Sequence, residues 1–197
     1  MGFKCYDTSI PEVKLIEPQV YNDERGCFYE TFSDEWFREN VCDTAFTQDN
    51  ESHSKLNVVR GLHFQKPPFA QSKLVRCVNG GIIDIAVDIR KDSPTFGRFV
   101  TAFLSKMNKN QLFIPRGFAH GFIAMSDDTI VQYKVDNPYN KESEGSIKWD
   151  DAELGIFDFV DLWFKSNDDE WILSEKDAAA PYLKDIDTGF NHSDKLY

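Results

Sequence analysis

From residue 58 to residue 149 the chain is cut into short apolar or alternating runs by glycine, proline and asparagine. The run GIIDIAVDIR sets Ile83, Ile85, Val87 and Ile89 against Asp84, Ala86 and Asp88, a period of two that predicts a strand with one dry face. KLVRCVNG stands before it across Asn79-Gly80-Gly81, and the glycines there predict a hairpin turn. GRFVTAFLS, QLFIP, HGFIAMS and TIVQYKV follow at close spacing, with no helical crossover between them. That succession predicts a meander or Greek key, hence an all-β sandwich or barrel.

The flanks read differently. Residues 34–42, DEWFRENVC, follow a capping candidate at Ser33 or Asp34 and set Trp36 and Phe37 inward, which predicts a short helix. Beyond Asp151 the pattern is mixed: FDFVDLWF is aromatic, SNDDEW reads as a polar loop, and GFNHSDKLY has little to bury. No repeat or low-complexity segment interrupts the chain.

Composition narrows the function. A length of 197 residues suits one domain, and 17 phenylalanines favour sheet over helix. The net charge of -11 opposes nonspecific binding to nucleic acid or to an anionic membrane, while leaving room for a small anion where Arg and Lys gather locally. No apolar run approaches the roughly 20 residues of a membrane span, and the opening MGFKCYDTSIPEV lacks a signal-peptide core. The expectation is a cytoplasmic protein. Cys5, Cys27, Cys42 and Cys77 are scattered without a CxxC pair, so reduced thiols are expected.

The stretch VVRGLHFQ places Arg60 and His63 three residues apart among apolar neighbours. A regular strand would send them to opposite faces, but Gly61 permits a bulge that re-aims one of them. On residue type alone, a surface arginine and a hydrogen-bonded core histidine are the more ordinary outcome. The segment NQLFIPRGFAHGF, with proline and glycines around His120, resembles the second histidine motif of the cupin barrels. Metal-binding cupins draw two histidines and a carboxylate from their first motif. Here VRGLHFQ offers His63 alone, HxH is absent, and His53 and His192 lie in a polar loop and the tail. Neither a metal centre nor a cofactor is therefore expected.

The stretches RGLHFQKPPFAQSKLVRCVNG, DIAVDIRKDSPTFG, QLFIPRGFAHGF, YKVDNPYNKESEGSIKWDD and LSEKDAAAP follow one another between about Ile10 and Leu183. In order and spacing they resemble the signatures of the dTDP-4-dehydrorhamnose 3,5-epimerases. The resemblance implies a cupin-type jelly-roll barrel with short flanking helices, usually a homodimer. It implies an enzyme that inverts carbons 3 and 5 of a 4-keto-6-deoxy sugar carried on dTDP.

The same resemblance implies residue roles. His63 is the base, Asp177 fixes its tautomer, Lys73 faces the sugar carbonyl, and Tyr133 returns a proton on the opposite face. Arg25 and Arg60 hold the diphosphate, Glu30, Gln48 and Asn50 place the nucleoside, and His120 lies near the sugar. Tyr139 stacks on thymine, Glu144 and Lys176 take other ligand contacts, and Arg25 and Glu30 often come from the partner subunit. The residue types suit the task. A C–H beside a ketone yields its proton only when a base takes it while the enolate oxygen meets a cation or donor. Imidazole titrates near neutrality, a phenol keeps its proton there, and guanidinium pairs with diphosphate through a planar fork. No glycine-rich phosphate loop is present.

Three stretches depart from the family pattern. Asn137-Pro138-Tyr139 stands where a tyrosine pair is common, and Glu144-Gly145-Ser146 lacks the usual Arg before Gly. IFDFVDLWFKSNDDEWILSEKD replaces a shorter segment, which predicts a longer surface loop around residues 157–172 that leaves Asp177 within reach of His63. Two competing functions share parts of this pattern. A single-carbon epimerase of another nucleotide-linked 4-keto sugar would keep His63, Asp177 and Lys73. A noncatalytic carbohydrate-binding module would need recognition groups without an opposed base and acid.

Overall fold

Alternating apolar positions become two facing antiparallel sheets in the computed structural model, which describes residues 2–164 and 170–197. In chain order the elements begin with β1 (Phe3–Asp7), β2 (Lys14–Pro18), β3 (Val20–Asp23), β4 (Gly26–Tyr29), α1 (Asp34–Asn40) and β5 (Gln48–Ser54). The central strands are β6 (Val59–Gln65), β7 (Lys73–Asn79), β8 (Gly81–Asp88), β9 (Phe99–Ser105), β10 (Gln111–Ile114), β11 (Phe118–Ala124) and β12 (Thr129–Val135). A short β13 (Glu144–Ser146), α2 (Ile156–Phe164) and α3 (Glu175–Ala178) complete the set.

One sheet has the order β1-β2-β10-β7-β12-β5 and the other β13-β6-β11-β8-β9, while β3 and β4 form a separate hairpin. Most consecutive strands of the central set lie in opposite sheets, so the architecture is the cupin-type jelly roll and not a meander. The interior is apolar: Val75, Leu112 and Val131 of the first sheet meet Ile82, Ala86, Phe118 and Phe122 of the second.

The expected hairpin at Asn79-Gly80-Gly81 is a crossing between sheets. β7 pairs with β10 and β12, whereas β8 pairs with β9 and β11. Burial explains the difference. All eight residues of β8 are buried, so the strand has two dry faces and not one. Its even positions face the barrel interior, and Ile83, Ile85 and Val87 pack outward in a cluster with Val160, Leu183 and Phe190. Such a strand fits inside the five-stranded sheet.

The outer cover over β8 comes from segments read as loop or tail. α2 occupies the first half of the stretch expected to be a surface loop, with Ile156 and Val160 fully buried one helical turn apart. Most of SNDDEW lies outside the described residues. The tail is docked and not loose. Phe190 is buried, Lys91 N–H donates to Phe190 O at 2.9 Å, and Thr188 Oγ1 donates to Ile89 O at 2.8 Å.

α1 forms where expected. Ser33 Oγ accepts from Trp36 N–H at 3.5 Å, and Phe37 is buried against Ile16, Leu74 and Phe113 on the outside of the six-stranded sheet. The N-terminal strands carried no clear signal. β5, QDNESHS, contains no apolar residue because it is the edge of its sheet and one of its faces meets the cavity described below.

Candidate active site

The bulge anticipated at Gly61 is present and brings the first two site residues together. His63 pairs with His120 and Arg60 with Phe122, so Gly61 and Leu62 stand opposite Gly121 alone. Gly61 has φ +121°, and a Cβ there would lie 2.6 Å from Gly121 Cα. The extra residue turns Arg60 and His63 toward one cavity of about 460 Å³.

The two sheets contribute opposite walls. Arg60, His63 and His120 come from the five-stranded sheet, while Ser52, Lys73 and Tyr133 come from the six-stranded one. α3 adds Lys176 and Asp177. An adjoining recess of about 190 Å³ shares His63, Lys73 and Tyr133 and adds Gln48, Asn50, Tyr139 and Glu144. Gln48, Asn50 and Ser52 alternate along β5, which puts one face of this polar strand on the groove.

His63 Nε2 lies 2.6 Å from Asp177 Oδ1. Ser174 caps α3 by accepting from Asp177 N–H at 3.1 Å, which fixes the turn that carries the aspartate. Burial raises the Asp177 pKa, but the hydrogen bonds and charge of His63, with Ser174 and the Gly61 N–H, outweigh it and hold the carboxyl below its ordinary value. With Nε2 committed to Asp177, Nδ1 is the nitrogen left to take a proton.

Lys73 faces this pair from the other sheet, its ammonium 3.5 Å from His63 O and 5.9 Å from the centre of the Tyr133 ring. Desolvation pushes the Lys73 pKa down to about 8, against the pull of Asp84 and Glu144. Desolvation likewise raises the Tyr133 phenol, with Arg60 pulling the other way, so the phenol stays protonated at neutral pH.

His120 is buried, and its Nε2 lies 2.7 Å from Asp84 Oδ1. Burial lowers the His120 pKa and raises that of Asp84, each against the attraction of the other. Asp84 was missed as a site residue. It sits at an interior position of β8, and its Oδ2 has no hydrogen-bond partner among the described residues. The signal was there as a carboxylate in the middle of the apolar stretch 82–87.

At the rim, Glu144 accepts from Lys176 at 2.6 Å and from Tyr139 Oη at 3.2 Å. Glu144 opens β13 and pairs with Gln65 of β6. Arg60 donates to Ser54 Oγ and His53 O, both at 3.0 Å. Arg25 and Glu30 are not brought to the groove: Arg25 sits in the turn between β3 and β4, 85% exposed and bound to Asp23 at 2.6 Å. Among the described residues no group of three His, Cys, Asp or Glu side chains is placed to hold a metal ion. None of their helices is long and apolar enough to cross a membrane.

Fold and site together define a jelly-roll barrel equipped to move protons at a carbon centre. A family model described as dTDP-4-dehydrorhamnose 3,5-epimerase matches residues 7–185. The dTDP-4-dehydrorhamnose 3,5-epimerase of Sinorhizobium fredii is 49% identical over 185 residues, covering 93% of this chain and 91% of the relative. That of Salmonella typhimurium is 51% identical over 177 residues, covering 89% and 93%. The crystal structure of the Legionella pneumophila dTDP-6-deoxy-D-glucose-3,5-epimerase in complex with dTDP-4-keto-L-rhamnose superposes with a TM-score of 0.87 at 43% identity, covering 94% of this chain and 95% of that one. The chain belongs to the dTDP-4-dehydrorhamnose 3,5-epimerase family.

Proposed function

We propose that this protein inverts carbons 3 and 5 of dTDP-4-keto-6-deoxy-D-glucose to give dTDP-4-keto-L-rhamnose. The observation that carries the reading is the placement of base and acid on facing walls of one cavity: His63 with Asp177 on one side, Tyr133 with Lys73 on the other. Inversion needs that opposition, because a lone base returns the proton to the face it came from.

In this mechanism His63 Nδ1 takes the proton from the carbon beside the ketone, and Asp177 steadies the imidazolium through Nε2. The C–H electron pair moves into the enolate, whose oxygen meets the Lys73 ammonium. That contact is worth about 3 kcal/mol of barrier. Tyr133 gives its proton to the opposite face, and solvent resets both groups before the second carbon reacts. No electrons are gained or lost, so the balance calls for no redox cofactor.

Around the reacting sugar, Arg60 supplies charge for the diphosphate, and Gln48, Asn50 and Tyr139 hold the nucleoside in the adjoining recess. Lys176, Glu144 and His120 complete the contacts. Arg25 and Glu30 serve the cavity of a second copy, so the working unit is a homodimer. The substrate class fits a cytoplasmic enzyme.

The experiment is solvent deuterium incorporation into dTDP-4-keto-6-deoxyglucose, read by NMR for the wild type and for His63→Ala. Label at both carbons, lost in the variant, is the expected result. Label at one carbon makes the protein a single-carbon epimerase, and no label makes it a binding module.

A further inference from the structure

The region matched to the family ends at residue 185, yet residues 188–197 are hydrogen-bonded to the barrel at both ends of the segment. The Tyr197 hydroxyl shares a hydrogen bond with Ser72 Oγ at 2.5 Å and accepts from Arg116 N–H at 3.1 Å. The Arg116 guanidinium lies 5.1 Å from the centre of the Tyr197 ring and donates to Leu196 O at 2.6 Å. Arg116 also reaches Asp136 at 3.1 Å, and Asp136 accepts from Ser72 N–H at 2.6 Å and Thr44 Oγ1 at 2.9 Å. Ser72 and the Asp136 side chain are fully buried.

Each of these partners is next to a strand that carries a cavity residue. Ser72 immediately precedes Lys73 at the start of β7, and Asp136 follows the end of β12, three residues after Tyr133. Arg116 stands just before β11, four residues ahead of His120. Lys73 and Val135 are paired across β7 and β12, so the Ser72–Asp136 bond lies one step beyond that rung. The charged end of Lys73 has a 3.5 Å contact to His63 O and lies 5.9 Å from the centre of the Tyr133 ring, so its aim depends on the backbone below it.

We propose that residues 188–197 form a latch whose Tyr197 hydroxyl holds the ends of β7, β11 and β12 together, making Tyr197 a positioning residue for Lys73, Tyr133 and His120. The inference rests on the proton-transfer reading of the cavity. Tyr197 touches neither the cavity nor its contents and acts through Ser72, Asp136 and Arg116. Its effect belongs to the transition state, where the enolate oxygen has to meet a cation at the right point, more than to binding of the nucleotide.

The test is Tyr197→Phe, which removes one hydroxyl and leaves a ring over Arg116, alongside Ser72→Ala and the double variant. The expected result is a fall in kcat of about tenfold with KM changed by less than about twofold, short of the ~100-fold that an ångström-scale misplacement costs. The double variant should fall no further than Tyr197→Phe alone, because the Ser72–Tyr197 hydrogen bond that Ser72→Ala removes is already gone with the Tyr197 hydroxyl. Unchanged kcat with a lowered melting temperature, or effects that multiply in the double variant, would overturn the proposal. Backbone amide exchange supplies a readout independent of turnover. Tyr197→Phe should speed exchange in residues 72–75 and 133–136, and unchanged protection there rejects the latch even if the wild type proves not to be an epimerase.

Discussion

His63 and His120 are cross-strand partners on β6 and β11, and each is bound to its own carboxylate: His63 to Asp177 at 2.6 Å, His120 to Asp84 at 2.7 Å. The two pairs are tuned apart. The His63 side chain is 33% exposed to the cavity and Asp177 is held as an anion, which suits a residue that must gain and lose a proton. His120 and Asp84 are sealed, and burial disfavours charge on both. In the proposed mechanism the first pair moves protons and the second serves as a neutral donor beside the sugar.

That difference predicts Asp177→Asn to be far more damaging than its size implies. The amide keeps the shape but stabilises no imidazolium and admits the wrong tautomer. Turnover should fall by about 10³-fold or more, with the protein still folded. Steady-state kinetics with a circular dichroism control would check it, and activity within tenfold of wild type would remove Asp177 from the mechanism.

Lys73 sets a basic limb. Burial places its pKa at about 8, so raising the pH through that value strips the proton from the ammonium and takes the cation from the enolate. kcat should decline above about pH 8. Tyr133 does not produce this limb, because burial moves the phenol upward from its ordinary value. In Lys73→Arg the guanidinium remains charged, and the residual activity should lose the decline near pH 8. A wild-type profile flat through that range would contradict the assignment.

Tyr133→Phe should separate exchange from inversion. His63 and Asp177 are untouched on their own wall, so a proton can still leave carbon and return from the same side. Deuterium should therefore enter the substrate while product formation falls by about 10²-fold or more. Loss of both at the same rate would place Tyr133 in binding and not in proton return.

Much of this site was legible because its chemistry sits in short local patterns. RGLH gave both the histidine and the glycine that bends the strand beneath it, and LSEKD gave the aspartate through the family resemblance, while its cap by Ser174 is seen only in the structure. What was not legible depended on long-range topology. Nothing local in Asn79-Gly80-Gly81 says that β7 and β8 enter different sheets; the decision comes from covering one face of β8 with the opposite sheet and the other with α2 and the tail. β5 was invisible because it buries polar groups toward a groove and shows no apolar alternation. The docked tail was overlooked because its anchor, Tyr197, is held by hydrogen bonds to residues 72 and 116 that no periodicity records.

The exposed Arg25 turn predicts shared sites. If Arg25 serves the cavity of a second copy, then Arg25→Ala and His63→Ala homodimers are each inactive, yet mixed dimers contain one intact site. Mixing and re-equilibrating the two variants should restore roughly a quarter of wild-type activity, since about half the dimers are mixed and each holds one complete site of two. No recovery would mean that Arg25 acts within its own chain or not at all.

Gly61 and Gly26 together isolate the cost of the bulge. Their φ values, +121° and +132°, are both unfavourable for a side chain, but a Cβ at Gly26 meets nothing within 4 Å. At Gly61 the same atom would press on Gly121 Cα at 2.6 Å and His120 O at 2.7 Å, where backbone cannot yield cheaply. Gly26→Ala should cost only the conformational strain, about 1 kcal/mol. Gly61→Ala should cost at least ~2 kcal/mol more, because β6 and β11 must separate. Denaturant midpoints at unchanged slope would measure the difference. Since that separation moves His63 away from His120, Gly61→Ala should also lose turnover under conditions where it remains folded, whereas Gly26→Ala should lose turnover only through the neighbouring Arg25. Equal stability losses at the two positions would show that the close approach of the strands is not what requires glycine in VRGLH.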